Sequence, residues 1–265
     1  MTNPEVDAAG SADDHEKRDV LFVESLAKAI KVLEAFADAG EPMGIKELAE
    51  HCGVNRSAVQ RFAHTWCELG YLQRTGGRRL ALTHKMVERS YDFLSMNPLV
   101  SRATPHLIDA RDRCGQNVNL SIQDDVDIVY LARLPSHRQQ LSTLLPGRRL
   151  PAFCTSGGRA ILACYPDEKV KQLLARSDLR QRTPHTETDP VALLDAVRHA
   201  RQQGYAIIEH QVLMGEIAIG TAILGPRGEP VGAIHIAAQV EDLSNGNLDA
   251  LVQQAIFTAR AISLR

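Results

Sequence analysis

One stretch shows helical apolar spacing more sharply than any other. Val59, Phe62, Ala63, Trp66 and Leu69 fall on one face of a helix, and Arg56, Ser57, Gln60, Arg61 and His64 fall on the opposite face. Asn55 is a good N-cap before this segment, and Gly70 sits where a helix ends on a residue without Cβ. A shorter helix is predicted from Ile45 to Cys52, with Gly53 at the turn between the two. After Gly70, Tyr71 to Arg74 alternates as a strand, Thr75-Gly76-Gly77 turns it, and Arg78 to Leu82 returns. Upstream, Leu26, Ile30, Leu33, Phe36 and Ala37 mark a first helix from Val23 to near Gly40, a third wall for the same small core. The order is that of a winged helix-turn-helix, with Arg74, Arg78 and Arg79 at the wing.

Farther along, Lys85 to Leu94 and Leu99 to Cys114 read as helices separated by Asn97-Pro98. Strands are predicted at Val118 to Ile122, Asp127 to Leu134 and Gln140 to Leu145. A helix should start near Thr155 in CTSGGRAILACY, a polar one should run on to Leu174, and a third should span Pro190 to Gln202. Strands follow at Tyr205 to Glu209, Ile217 to Leu224 and Val231 to Ala237, then a last helix from Leu248 to Ile262. That sequence of elements predicts an α+β domain, an antiparallel sheet with helices gathered on one side. The expected organisation is an acidic, disordered tail over 1–18, a winged helix-turn-helix over 19–84, a linker helix over 85–97 and a second domain over 98–265.

Composition sharpens this picture in one respect. The 265 residues are 44% hydrophobic and 23% charged, a globular balance that suits two domains, and the formal net charge is only -2. Between His51 and Arg89, however, Arg56, Arg61, Arg74, Arg78, Arg79, Lys85 and Arg89 face only Glu68 and Glu88. A near-neutral chain thus carries a locally basic module, as a binder of a polyanion would. Arg56, Gln60 and Arg61 can fork onto base edges in a major groove, with Ser57 and His64 in reach of phosphate or base. The five cysteines are scattered without a C-x-x-C pattern, which suits free thiols in a reducing cytosol. With no signal sequence and no long apolar run, a cytoplasmic location and no membrane contact are expected.

Enzyme chemistry finds little support. The chain has no G-x-S-x-G elbow, no phosphate loop and no dinucleotide fingerprint. Cys154 with His210 or His235 could form a thiol dyad on paper, but a cysteine at a small-residue helix start is more often packed and inert. Cys52, His51, His64 and Cys67 lack metal-site spacing. Thr155 to Gly158 offers either helix-start amides for an anion or tight packing through Gly157 and Gly158, and the two remain open. No cofactor is indicated.

The segments SLAKAIKVLEAF, ELAEHCGVNRSAVQRF, ELGYL, LPAFCTSGGRAILA, RQQGYAI and GEPVGAIHIAAQ, in this order, resemble the IclR family of bacterial transcriptional regulators from Val23 to the end of the chain. LALTHKMVERSYDFLSMNPLV resembles the subgroup that controls aromatic-acid and β-ketoadipate catabolism. The resemblance implies a GAF-like effector domain behind the linker helix. It also implies a homodimer or homotetramer on a pseudo-palindromic double-stranded DNA operator. Its effector pocket would include Ser156, Gly157, Glu209, Ala218, His235 and Ala237. Ala218, His235 and Ala237 replace residues that are polar, with cysteine or serine, in glyoxylate-responsive members, which favours a larger or aromatic acid as effector. In this reading Ser156 and Gly157 amides bind a carboxylate, His235 donates to the ligand, and Glu209 accepts a hydroxyl or excludes a second anion; the competing expectation is that His235 is a core histidine satisfied by backbone. A small-molecule-binding protein or enzyme that uses its N-terminal module only for association is the rival expectation.

Overall fold

In the computed structural model, which describes residues 21–136, 145–243 and 247–264, the first core forms around α1 (Glu24–Glu34), α2 (Phe36–Ala39), α3 (Ile45–Cys52) and α4 (Arg56–Glu68). The strands β1 (Leu72–Arg74) and β2 (Leu80–Leu82) pair antiparallel as the wing. Val32, Leu48, Val59, Ala63, Leu72 and Leu80 are buried together at its centre. The Trp66 indole donates to Ala29 O at 2.9 Å, which pins α4 to α1.

The first helix differs from expectation. It breaks at Ala35, and Val32, Ala35 and Phe36 enter the core whereas Leu26 and Ile30 stay exposed. Leu69, expected on the packed face of α4, is likewise exposed. The reason lies in how α4 ends: the Gly70 N–H donates to Cys67 O and the Tyr71 N–H to Trp66 O, each at 2.9 Å, with Gly70 at φ 79°. This six-to-one closure turns the chain before Leu69 can pack, and it sets Trp66 edge-on to Tyr71 at 5.4 Å instead.

The chain divides into two units, one through Arg89 and one from Ser90. The helix α5 (Lys85–Met96) carries the chain from one to the other and buries none of its residues. The second unit consists of α6 (Pro98–Cys114), β3 (Asn117–Asp124), β4 (Asp127–Leu134), β5 (Arg149–Pro151), α7 (Ser156–Leu162), α8 (Asp167–Arg176), α9 (Pro190–Gln203), β6 (Ala206–Glu209), β7 (Glu216–Leu224), β8 (Pro230–Gln239) and α10 (Asn247–Ile262). Its sheet runs β5-β4-β3-β8-β7-β6 with every neighbouring pair antiparallel. The strand expected at Gln140 to Leu145 lies, but for Leu145, outside the described residues.

Helices cover both faces of this sheet rather than one. Ile217, Ile219, Ile223, Ile234 and Ile236 pack with Leu107 of α6 and Ala255 of α10 on one side. On the other, Ile128, Leu150 and Ala233 pack with Ile161 of α7, Leu173 of α8 and Val197 of α9. Strands β7 and β8 are apolar at nearly every position because each of their faces is covered.

At Gly220 helix α7 approaches the sheet so closely that no side chain fits between them. A Cβ on Gly220 would lie 2.2 Å from the Ser156 carbonyl carbon and oxygen. Gly220→Ala should therefore lose about 1–3 kcal/mol of stability or more in urea denaturation, because backbone cannot step aside as a side-chain tip can. An unchanged midpoint would contradict this approach of helix to sheet.

Candidate functional site

Two surfaces carry the residues singled out in the sequence. On the first unit, Asn55 caps α4 by accepting the Ala58 N–H at 2.8 Å, which fixes where the helix begins. Val59 and Ala63 are buried, so Arg56, Ser57, Gln60, Arg61 and His64 project into solvent along the other side. This is a continuous polar face of the kind that enters a major groove. At the wing, Arg74 and Arg78 are exposed.

Arg79 differs from its two neighbours. Its Nε donates to Pro42 O at 2.7 Å and an Nη donates to Glu47 Oε2 at 3.0 Å, while Glu47 also accepts the Gly44 N–H that opens α3. Met43 and Leu80 exchange backbone hydrogen bonds beside it. Arg79 thus ties the wing to the start of α3, a role that depends on a partner 32 positions away.

The second unit holds a cavity of about 190 Å³ on the α7 side of the sheet. This is smaller than the roughly 300 Å³ at which drug-sized sites begin, so it has room for no more than one small molecule. Leu150, Ile208, Val212, Leu213, Ala218 and Ala237 form its apolar walls. Asn117, Asn119, Tyr130, Arg133, Arg148, Ser156, Gln211, Glu216, His235 and Gln239 supply polar groups.

Of the residues expected here, Ser156, Ala218, His235 and Ala237 line the cavity. Glu209 does not: it is exposed at the end of β6, its carboxylate 3.4 Å from the His210 ring, because the alternation of that strand turns Ile208 inward. Gly157 does not line it either. Its N–H donates to His235 Nδ1 at 3.2 Å, and a Cβ there would sit 2.2 Å from the ring. The glycine therefore serves close packing, and the helix-start amide expected to meet a carboxylate already has a partner.

His235 is held from both sides. With Nδ1 accepting from Gly157 and from the Ser156 hydroxyl at 3.3 Å, the proton resides on Nε2, which donates to Ser121 Oγ at 2.7 Å. Complete burial, helped by the nearby Arg133 charge, lowers its pKa from 6.5 to about 3. Rather than offering a donor to a ligand, the neutral ring joins β8, β3 and α7. Cys154 is buried, and burial pushes its thiol up to about 11 against the lowering influence of Arg182 and Arg159, so no thiolate nucleophile is available.

The charged groups of the cavity come from β4, the β4–β5 connection and β7. A bulge interrupts the pairing of β3 with β4: Leu120 faces Ala132, yet Ser121 faces Tyr130, which leaves Leu131 as an extra residue. Leu131 and Ala132 both turn to the α6 and α10 side, and Arg133 comes round to the same side as Tyr130. The Arg133 guanidinium lies 4.4 Å above the Tyr130 ring and its Nε donates to Asn119 Oδ1 at 3.3 Å. Arg148 stands at the rim, its carbonyl accepting the Tyr130 N–H at 3.0 Å. Burial raises the pKa of Glu216, opposed by Arg133 and Arg148.

Both units match models of known protein families. A model of the IclR helix-turn-helix domain matches residues 25–76, and one of the bacterial transcriptional regulator IclR C-terminal domain matches residues 91–264. The Pca regulon regulatory protein of Pseudomonas putida is 31% identical over 229 residues, 86% of this chain and 78% of that protein. The p-hydroxybenzoate hydroxylase transcriptional activator of Acinetobacter baylyi is 28% identical over 82% of each. An IclR homolog from Microbacterium hydrocarbonoxydans, solved in complex with 4-hydroxybenzoate, shares the fold with a TM-score of 0.74 at 20% identity, over 90% of this chain and 97% of that one.

The buried state of His235 has a consequence for stability. Because its folded pKa lies below its unfolded value of 6.5, the unfolded chain takes up the proton first as pH falls. The histidine's contribution is thus complete above pH 6.5 and is lost toward pH 3, at no more than ~1.4 kcal/mol per pH unit. Between pH 6.5 and pH 5, the wild type should lose about 2 kcal/mol more than His235→Gln in urea denaturation. Equal losses would show that the ring is not held neutral.

Proposed function

Because the chain belongs to the IclR family of bacterial transcriptional regulators, we propose that it adjusts gene expression in the cytoplasm in response to an aromatic acid or related catabolite. DNA binding follows from the helix-turn-helix and effector binding from the C-terminal domain. The observation that carries the finer reading is the cavity itself: small, walled by apolar and polar groups in similar measure, and charged where Arg133, Arg148 and Glu216 meet it. What two relatives are said to regulate or bind, p-hydroxybenzoate hydroxylase and 4-hydroxybenzoate, agrees with such a guest. The rival reading, an enzyme with an associating N-terminal module, is not favoured: the relatives are transcriptional regulators and Cys154 is a buried, protonated thiol.

The unit of action is a homodimer, alone or paired as a tetramer, on an inverted repeat, since one helix-turn-helix reads only a few base pairs. The outward stripe of α1 and the residues before it supports pairing: Leu21, Phe22, Val23, Leu26 and Ile30 are all exposed. Leu26→Glu with Ile30→Glu should shift the protein toward monomer in light scattering after size exclusion and weaken operator binding. An unaltered mass would place the pairing surface elsewhere.

On DNA, the α4 face is assigned to specificity and the wing to affinity. Gln60→Ala or Arg61→Ala should each lose about 1–3 kcal/mol on the selected operator and relax preference at one base pair. Arg74→Ala or Arg78→Ala should weaken all sequences alike and flatten log K against log salt by about 0.9 each. Arg79→Ala should act chiefly through the tie to Glu47, with a smaller change in salt slope. Selection of bound sequences from a random pool, with and without 4-hydroxybenzoate, tests the whole reading. Failure to enrich any inverted repeat would overturn it.

A further inference from the structure

Resting on the reading of this cavity as the effector site, we propose that Arg133 and Arg148 take the effector's carboxylate and that Glu216 restricts it to a single negative charge. The charged side chains lining the cavity among the described residues are these three. His235 adds no charge, since burial holds it neutral. Among the described residues, two guanidiniums and one carboxylate give the lining a net charge of +1, which a monocarboxylate offsets. A dicarboxylate would instead bring a second anion into a small, partly desolvated space that already holds Glu216, where like charges repel strongly.

The placement of the arginines favours them over the start of α7 as carboxylate partners. The Gly157 N–H is engaged by His235, and that helix has only seven residues. Arg133 is oriented before any ligand arrives, braced by the Tyr130 ring and the Asn119 amide, so little side-chain freedom is lost on binding. Glu216 opens β7 opposite Gln239 of β8, which also lines the cavity. The exclusion of a second anion expected of Glu209 therefore passes to Glu216, because only the latter faces the ligand space.

Three acids of one shape separate charge from size: benzoate, its para-dicarboxylate terephthalate, and 4-carbamoylbenzoate, in which a neutral amide replaces the second carboxylate. Calorimetric titration of the full-length wild type should show terephthalate binding at least tenfold more weakly than 4-carbamoylbenzoate. Glu216→Gln should bring the two within threefold of each other, whereas Glu209→Gln should leave the difference as it was. Arg133→Gln should weaken benzoate at least thirtyfold with the thermal melt preserved; if that variant does not fold, Glu216→Gln decides alone. Equal wild-type affinity for terephthalate and 4-carbamoylbenzoate, or a difference untouched by Glu216→Gln, overturns the charge restriction while leaving the effector reading in place. No binding of any of the three acids to folded wild type removes the aromatic-acid reading and this inference together.

Discussion

A neutral imidazole at the centre of the second unit sets the terms for everything around it. His235 receives the Gly157 N–H on one nitrogen and donates to Ser121 through the other, so one side chain joins α7, β8 and β3. The approach of helix to sheet is dictated by the thickness of that ring, and Gly157 and Gly220 are the residues that permit it. A buried polar group that is fully satisfied rigidifies its neighbours, while half of the same network would be worse than an apolar core. The cavity beside it inherits a firm wall and loses a hydrogen-bonding group that would otherwise greet a ligand.

The chemistry of the cavity is displaced, as a result, toward β4 and β7. A polar stripe of Asn117, Asn119 and Ser121 is buried on the same side as Tyr130 and Arg133. These small neutral groups serve as braces: Asn117 accepts the Ser136 N–H at 2.8 Å, Asn119 holds Arg133, and Ser121 holds the imidazole. The first unit follows a similar logic at its surface, where Glu47 accepts from both the start of α3 and Arg79 and so couples the wing to the helix pair.

Much of the fold was legible in local signals. Asn55, Gly70 and the spacing of Val59, Ala63 and Trp66 defined α4, since caps and periodicity act within a few residues of each other. The structure bounds α9 with signals of the same local kind, Asp189 accepting the Val191 and Ala192 N–H groups and Gly204 closing the helix. Features that depend on distant partners were not legible. Arg79 reads as another wing cation until Glu47 is beside it, and Leu26 reads as core although Val32, Ala35 and Phe36 take that place. The second helical layer was not expected, although the double-sided apolar character of EIAIGTAIL and PVGAIHIAAQ is a sign of strands covered on both faces. Strict alternation would put Arg133 on the side away from Tyr130, and nothing in the residue order announces the bulge that reverses it.

That bulge separates two ways in which a receptor of this architecture can diverge. Substitution at Arg133 alters the charge of one wall position, as any point change would. Loss of the single residue Leu131 would instead remove the bulge and leave regular pairing, with Arg133 still opposite Asn119 on the cavity side and Ala132 and Leu134 still turned away. A deletion of one codon at the bulge would thereby shorten the strand without changing which of its side chains line the cavity. Residue identity at wall positions such as Arg133, rather than chain length at the bulge, is then the variable by which such a scaffold acquires new signals.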